Sequence, residues 1–159
     1  MPLRDPAAWI PEAMDAFRAG KRPVDLIAGG GIEMSDLAVT EAATAERIGS
    51  GDLPVLASPE VVVLVERAAV QSLRGALPPE LTTVGASFVL THSAPTSVGS
   101  ELAIRLTLEP GDSRKLRFAF TVDDDAGQVA FGSHVRVIVE REPFMANAEA
   151  RRRPRGDDP

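Results

Sequence analysis

The sequence predicts an α+β fold in which one long helix is wrapped by a curved antiparallel sheet. The helix is expected at residues 58–77, because Ser58, Pro59 and Glu60 suit an N-cap, a first helical position and a first turn. Four segments with apolar residues at every second position follow it. Such a sheet has one apolar face to cover, and this helix is the long amphipathic element available to cover it.

Each of the four segments is predicted to be a strand, at residues 83–92, 99–109, 114–122 and 128–139. The polar connections at 110–113 and 123–127 are short enough for antiparallel hairpins, so we expect a meander. The inward rows are predicted to be Val84, Ala86, Phe88, Leu90 and His92; Leu102, Ile104, Leu106 and Leu108; Leu116, Phe118, Phe120 and Val122; and Val129, Phe131, Val135, Val137 and Val139.

Three parts are predicted along the chain: a partly flexible N-terminal extension, one folded domain and a disordered C-terminal tail, at residues 1–31, 32–140 and 141–159. The extension is expected to hold a short helix near 7–19 and a glycine break at 29–31. The domain is expected to begin with a weak strand at 32–40 and a short helix at 41–48. The glycines of the loop 49–54 suit a mobile lid.

Composition excludes several classes of function. The chain has 159 residues and no cysteine, which rules out disulfides and cysteine nucleophiles. A net charge of −6 argues against binding to nucleic acid, and the basic cluster at 151–155 is expected to be a solvated end. Two histidines leave little for a metal site, so no metal and no cofactor is expected. No apolar run suits a signal peptide or a membrane span, which predicts a cytoplasmic protein.

Glu66 is the first candidate for chemistry, because it falls on the apolar face of the predicted helix. That face is formed by Val62, Val63, Val65, Ala69, Val70, Leu73 and Leu77. Burying a carboxylate costs stability unless a partner compensates, and such carboxylates often act as acid, base or nucleophile. The alternative is that Glu66 lies at the edge of the face and reaches solvent.

His92 and Ser58 are the candidate partners. His92 ends the inward row of its strand, so it is predicted to meet Glu66 at the helix–sheet interface, although a lone His on an apolar face is more often a core residue. Ser58 is predicted to cap the helix, where its hydroxyl also lies in a region of positive potential suited to developing negative charge. No G-x-S-x-G motif is present, so a serine hydrolase is not favoured.

Further candidates lie on the strands and turns. Gly85 interrupts a strand and is predicted to mark a bulge or a close approach of ligand to the backbone. The turn that holds Pro95 and ends at Gly99 is predicted to present backbone N–H groups to an anionic ligand. His134 shares the less apolar face of its strand with Arg136, and is interpreted first as a surface or subunit-contact residue.

Taken in order, these residues resemble the fluoroacetyl-CoA thioesterase family of hotdog-fold proteins. The resemblance runs from about residue 32 to 140. Its stretches are Val39-Thr40-Glu41, Thr44-Ala45, the run from Gly49 to Pro59, Glu66 with Ala68-Ala69, Thr83-Val84-Gly85, His92, Ala94-Pro95-Thr96, Val98-Gly99, Gly132-Ser133-His134 and Arg136. Each motif alone is weak, but their order and spacing together are specific.

The resemblance implies a catalytic group of Thr, Glu and His, matched here by Ser58, Glu66 and His92. It implies that Gly85 lines the acyl site and that the loop 49–54 helps to cover it. It also implies a homodimer with two acyl-CoA sites near the subunit interface. Members selective for a fluorinated substrate use aromatic residues in the lid, and this chain has none between Phe17 and Phe88, so that selectivity is not implied.

The function predicted in this way is hydrolysis of a small acyl thioester, carried by CoA or by an acyl carrier protein. Glu66 would attack the carbonyl or activate water. His92 would orient the thioester and manage protons, and Ser58 would hydrogen-bond Glu66 or the developing oxyanion. Two alternatives stay open. One is another reaction on an acyl thioester, such as hydration, dehydration or cyclisation, and the other is a non-catalytic acyl-CoA-binding protein.

Overall fold

The computed structural model describes residues 6–23 and 31–152. The elements are helix α1 (Pro6–Arg18), strand β1 (Gly31–Ala38), a 3₁₀ turn (Glu41–Ala43), helices α2 (Ala45–Ile48) and α3 (Ser58–Ser72), strands β2 (Leu81–His92), β3 (Glu101–Leu108), β4 (Lys115–Asp124) and β5 (Gly127–Glu140), and helix α4 (Arg141–Ala150). The five strands form one antiparallel sheet in the order β1-β3-β4-β5-β2.

The predicted helix wrapped by an antiparallel sheet is confirmed, although the helix ends at Ser72 rather than at the predicted Leu77. Helix α3 turns a buried face to the sheet, formed by Val61, Val65, Ala68 and Ala69. The inward rows predicted for β3 and β4 are also confirmed, since every member from Leu102 to Leu108 and from Leu116 to Val122 is buried. Residues of both edge strands, Met34 of β1 and Thr83 of β2, line one cavity beside α3, so the sheet curls around the helix.

The predicted meander is correct for β3, β4 and β5 but wrong for β2. Strand β2 pairs with β5, from Leu81 opposite Glu140 to His92 opposite Ala130, and therefore forms an edge of the sheet. Alternation of apolar residues fixes which face a strand presents, but it does not fix which strand lies beside it.

The inward row predicted for β5 is right at Val129, which is buried in the core, and wrong from Phe131 onward, because a bulge changes the register of the hairpin. Val122 lies opposite Ala130 while Asp123 lies opposite Gln128, so Val129 is an extra residue on β5. One extra residue moves every later side chain to the other face. The row that faces the helix is Ala130, Gly132, His134, Arg136 and Ile138.

A second bulge lies in β2. Gly85 pairs with Arg136 while Ser87 pairs with Val135, which leaves Ala86 as the extra residue. The bulge predicted at Gly85 is thus confirmed. Before it the row facing the helix contains Leu81 and Thr83, and after it the row is Phe88, Leu90 and His92. Val84 and Ala86 do not belong to the inward row.

The N-terminal helix packs against the domain. Met14 and Phe17 of α1 are buried in the main core cluster, and the Arg114 guanidinium lies 4.9 Å from the centre of the Phe17 ring. This helix agrees with the one predicted near 7–19. The predicted glycine break falls mostly on residues 24–30, which lie outside the described residues.

The C-terminal segment differs from the predicted disordered tail, because residues 141–150 form helix α4. Its first residue is anchored to the turn before β2: the Arg141 N–H donates to Glu80 O, and Arg141 Nε donates to Pro79 O, both at 2.9 Å. Residues 153–159 lie outside the described residues. None of the helices within 6–23 and 31–152 combines the length and apolar character needed to cross a membrane.

Candidate active site

Ser58 and His92 form a direct pair. Ser58 is the first residue of α3 and His92 the last residue of β2, and the Ser58 Oγ lies 2.8 Å from His92 Nδ1. The other ring nitrogen, Nε2, is shielded from solvent and has no hydrogen-bond partner in the described part of the chain. A buried ring nitrogen without a partner is available to a ligand atom.

The prediction that the Ser58 side chain caps α3 is wrong. Ala57 occupies the N-cap position, and no side chain makes a cap hydrogen bond there. The hydroxyl is directed to His92 instead, because the end of β2 lies beside the first turn of the helix. The contact between Ser58 and His92 was not predicted, since each was expected to interact with Glu66 instead.

Glu66 is more exposed than predicted. Its side chain is 40% exposed, and the flanking Val63 and Val70 are 37% and 45% exposed. The buried stripe of α3 is centred on Val61, Val65 and Ala68, so Glu66 lies at the open side of the helix. The alternative that Glu66 reaches the edge of the apolar face is therefore the correct one for the single chain.

Glu66 is held by residues of β5 rather than by His92. Its Oε1 lies 3.4 Å from Arg136 Nη1 and 3.6 Å from His134 Nε2. Among residues 6–23 and 31–152, Glu66 makes no hydrogen bond or ion pair with His92 or Ser58. The predicted meeting of Glu66 and His92 does not occur within one protomer.

Arg136 is a buried guanidinium, 6% exposed, and its four hydrogen bonds fix its position. Nε donates to Thr83 Oγ1 at 2.9 Å and Nη2 donates to Thr83 O at 3.0 Å. Nη1 contacts both Glu66 Oε1 and His134 Nε2, at 3.4 and 3.2 Å. Because strand β2 holds the other donors, Nη1 presents a fixed cation to the Glu66 carboxylate.

His134 is 1% exposed, which contradicts its interpretation as a surface residue. Its Nδ1 lies 3.1 Å from Ser87 O, a carbonyl, so Nδ1 must carry the proton and donate. Nε2 is then free to accept from Arg136 Nη1. The ring packs beside Phe88 and Phe118, with centroids 5.0 and 6.5 Å away. Burial lowers the pKa of His134 and keeps the imidazole neutral.

This neutral His134 predicts a pH dependence of stability. Its pKa is lowered in the folded protein from 6.5, so below that pH the unfolded chain binds more protons than the folded one. Stability is fully present above pH 6.5 and decreases as the pH falls towards the folded-state pKa. Urea unfolding between pH 7.5 and 5 is expected to show a smaller pH slope for His134→Gln than for wild type. Equal slopes would contradict this assignment.

Gly85 provides the space for the Glu66 carboxylate. A Cβ at position 85 would overlap Glu66 Oε1 and lie 3.5 Å from His134 Cε1. The close approach predicted for this glycine is thus to a side chain of the same protomer. Contact of Gly85 with a ligand stays a prediction.

At two positions of the turn that holds Pro95 and ends at Gly99, no N–H group is left for a ligand, while presentation of N–H groups by residues 96–98 stays a prediction. Pro95 has no N–H, and the Gly99 N–H donates to Val39 O at 2.8 Å, in a left-handed conformation with φ of 89°. Thr96 between them is 2% exposed, and its hydroxyl has no hydrogen-bond partner within the described ranges. Its carbonyl accepts from the Leu56 N–H, so this turn braces the segment that leads into Ser58.

An open cavity of about 570 Å³ lies along the exposed side of α3. Glu66, Gly85 and Arg136 line it, together with residues of the later turns of the helix. No group of three or more His, Cys, Asp and Glu side chains within 6–23 and 31–152 is placed to hold a metal ion. The carboxylate therefore faces a space large enough for a small-molecule substrate.

Comparison with known proteins identifies the family. The family described as fluoroacetyl-CoA-specific thioesterase, FlK, matches residues 39–142. The chain belongs to this family. Within it, the fluoroacetyl-CoA thioesterase of Streptantibioticus cattleyicolor is 27% identical over 92 residues, which span 58% of this chain and 66% of the relative.

Solved structures confirm that the chain has the hotdog fold. A mutant of the FlK thioesterase in complex with fluoroacetate and CoA superposes with a TM-score of 0.69 and 22% identity, over 74% of this chain and 98% of that one. A hot-dog-like protein from Thermanaerovibrio acidaminovorans gives a TM-score of 0.72 and 19% identity, over 82% of this chain and 96% of the other. The predicted thioesterase-family resemblance is confirmed.

Proposed function

We propose that this FlK-family protein hydrolyses small acyl-CoA thioesters, with Glu66, His92 and Ser58 as the reacting group. The observation that carries the proposal is the Glu66 carboxylate, held against the buried Arg136 at a cavity. The family gives the thioester as substrate class, and the FlK structure solved with fluoroacetate and CoA is consistent with it.

Glu66 acts on the acyl carbon in either of two routes. As a general base it takes a proton from water, whose oxygen attacks the carbonyl; as a nucleophile it forms a mixed anhydride that water then cleaves. In both routes the C–S bond breaks, CoA leaves as the thiol after gaining a proton, and the acyl group leaves as the acid. Arg136 keeps the carboxylate oriented throughout.

The Ser58–His92 pair is assigned to the carbonyl oxygen and the leaving group. His92 Nε2 is unpartnered and shielded, so it is suited to donate to an oxyanion or pass a proton to the thiolate. Ser58 holds the ring through Nδ1, at the positive N-terminus of α3. Negative charge that develops on the substrate is stabilised at this end of the helix.

No hydrogen bond or ion pair joins the two halves of the reacting group within the described part of one protomer. Ser58 and Glu66 are eight positions apart on α3, a rise of about 12 Å at 1.5 Å per residue. We therefore propose a homodimer in which Glu66 of one subunit works with Ser58 and His92 of the other. The free edge of β2, which ends in His92, is the surface on this chain that a second copy is proposed to approach.

A mixed dimer tests this arrangement. Glu66→Gln and His92→Ala chains, each inactive alone, are expected to regain activity when co-expressed with different tags and purified as the heterodimer. In the proposed arrangement one of its two sites keeps both wild-type groups, so kcat per dimer should reach about half the wild-type value. If both groups act within one protomer, each site carries one substitution and the heterodimer stays inactive.

The activity itself is tested by thiol release from short, branched, aromatic and halogenated acyl-CoAs. The absence of aromatic residues between Phe17 and Phe88 predicts no preference for the fluorinated member of the panel over an acyl group of similar size. Release from at least one member is expected. Tight binding of acyl-CoA without thiol release would favour a binding protein instead.

A further inference from the structure

The end of α3 and the turn that follows it place a basic stripe along the cavity. Arg67 and Gln71 lie four residues apart on one side of α3, and Arg74 lies in the turn after the helix ends at Ser72. All three line the cavity that contains Glu66. The stripe therefore begins beside the Glu66 carboxylate and continues past the end of α3.

Neither arginine of the stripe is engaged by the protein. Within the described residues, Arg67 and Arg74 side chains make no hydrogen bond or ion pair, and both residues are exposed. Exposed arginines on the strands behave differently. Arg117 pairs with Glu109 at 3.5 Å and Arg105 pairs with Glu33 at 3.3 Å. The guanidinium groups beside the cavity thus keep their donors available to a ligand.

The charge of the cavity is opposite to that of the chain. Its lining contains three arginines and one glutamate, a sum of +2, whereas the whole chain carries −6. Arg136 and Glu66 are paired with each other, so the excess positive charge resides on Arg67 and Arg74. A cleft lined by one sign of charge concentrates ligands of the opposite sign.

The same cavity also offers apolar surface between the charges. Val63 and Val70 are 37% and 45% exposed and line the cavity beside Glu66. Val70 lies between Glu66 and Arg74 in the chain, so a ligand that fits has a reactive end at the carboxylate, an apolar arm along Val70 and an anionic end that reaches Arg74. An acyl thioester on a phosphorylated pantetheine arm has this distribution. Guanidinium groups bind phosphate through paired hydrogen bonds.

We propose that Arg67 and Arg74 form a phosphate subsite that binds the nucleotide end of CoA. This inference rests on the proposed thioesterase function and assigns CoA as the carrier of the acyl group. CoA has a diphosphate and a ribose phosphate, so each of the two arginines can bind an anionic group. A carrier protein presents the pantetheine arm on a single phosphodiester. The stripe therefore favours CoA over a carrier protein as the natural carrier.

Calorimetric titration tests the subsite without requiring turnover. CoA, dephospho-CoA and pantetheine are titrated into wild type, Arg67→Ala, Arg74→Ala and, as matched control, Arg117→Ala. Each cavity variant is expected to bind CoA about tenfold more weakly, a loss of about 1.4 kcal/mol. Pantetheine affinity should change less than twofold, and the control should match wild type for all three ligands. CoA binding at wild-type affinity in both cavity variants would overturn the proposal.

CoA and a carrier protein are the two possible sources of the phosphate. They are distinguished by comparing kcat/KM for acyl-CoA with kcat/KM for the same acyl group on a carrier protein. A CoA subsite predicts that Arg74→Ala lowers the value for acyl-CoA about tenfold. If only the carrier-protein value falls, the assignment of CoA is wrong. If CoA binding depends on the arginines but no thioester is cleaved, the subsite stands and the proposed hydrolysis fails.

Discussion

Replacing Glu66 with Gln is expected to lower kcat for acyl-CoA hydrolysis by about 10²–10⁴-fold. The amide keeps the size of the side chain and can still accept from Arg136 Nη1, but it is neither a base nor a nucleophile. Stability should change by no more than about 1 kcal/mol, because the side chain is 40% exposed and the ion pair is screened. Thiol release and thermal unfolding measure the two effects separately.

The matched control for this variant is Glu101→Gln. Glu101 is an exposed residue at the start of β3 and is not among the residues that line the cavity. The same change of charge there should leave kcat within twofold of wild type. Near-normal turnover by Glu66→Gln would remove Glu66 from the reacting group and, with it, the proposed mechanism.

Replacing Arg136 with Met is expected to reduce both activity and stability. Thr83 O, Thr83 Oγ1 and His134 Nε2 would lose their donor in a buried region, at a cost of about 1–3 kcal/mol for a buried unsatisfied group. The Glu66 carboxylate would lose its fixed partner, and a misplacement of about 1 Å can lower kcat by about 10²-fold. Urea unfolding and steady-state kinetics provide the measurements.

Arg136→Lys separates positioning from a general loss of structure. Lysine keeps the positive charge but cannot form the forked contacts to Thr83 and Glu66 together. Stability is expected to recover more than kcat does, while KM stays within about twofold of wild type because Arg136 acts through Glu66. A variant whose kcat recovers in proportion to its stability would show that Arg136 has only a structural role.

The sequence was sufficient for the parts of the fold that follow one unbroken period. The α3 segment carries its own start signals, and Leu102 to Leu108 and Leu116 to Val122 alternate without interruption. These patterns predicted the helix and two inward rows correctly. The predicted position of β2 in the sheet was wrong, because the pairing of strands that are distant in the sequence depends on the whole sheet and leaves no local pattern in the sequence.

The bulges explain why half of the site was missed. The short hairpin between β4 and β5 was assumed to have no bulge, but Val129 is an extra residue in it. His134 and Arg136 were therefore assigned to the wrong face. A signal was present: His134 and Arg136 alternate as polar residues in a strand that is otherwise apolar on both faces. Polar residues two apart in such a strand indicate a buried network as readily as a solvent face.

The contact of Ser58 with His92 was not predicted, and the predicted meeting of His92 with Glu66 does not occur within one protomer. The alternation of residues in β2 placed His92 correctly on the face toward the helix. Val84 and Ala86 were assigned to that face wrongly, and the bulge at Ala86 is the reason that the residues after it were nevertheless right. The distance along α3 could have been calculated from sequence alone. Ser58 and Glu66 are eight positions apart on α3, which already places the two residues at different turns.

The bulge at Ala86 divides β2 into two registers that serve different ends of α3. The half before the bulge contains Gly85, which lies beside Glu66, and Thr83, which holds the partner of Glu66. The half after the bulge places His92 beside Ser58. A single-residue insertion or deletion on one side of the bulge would therefore move the side chains of that half of β2 to the opposite face of the sheet. The other half would keep its register. When sequences of family members are aligned, a one-residue gap within β2 identifies a chain in which different residues face one end of α3. Where the sequences differ only by substitutions, the same positions of β2 face both ends of the helix.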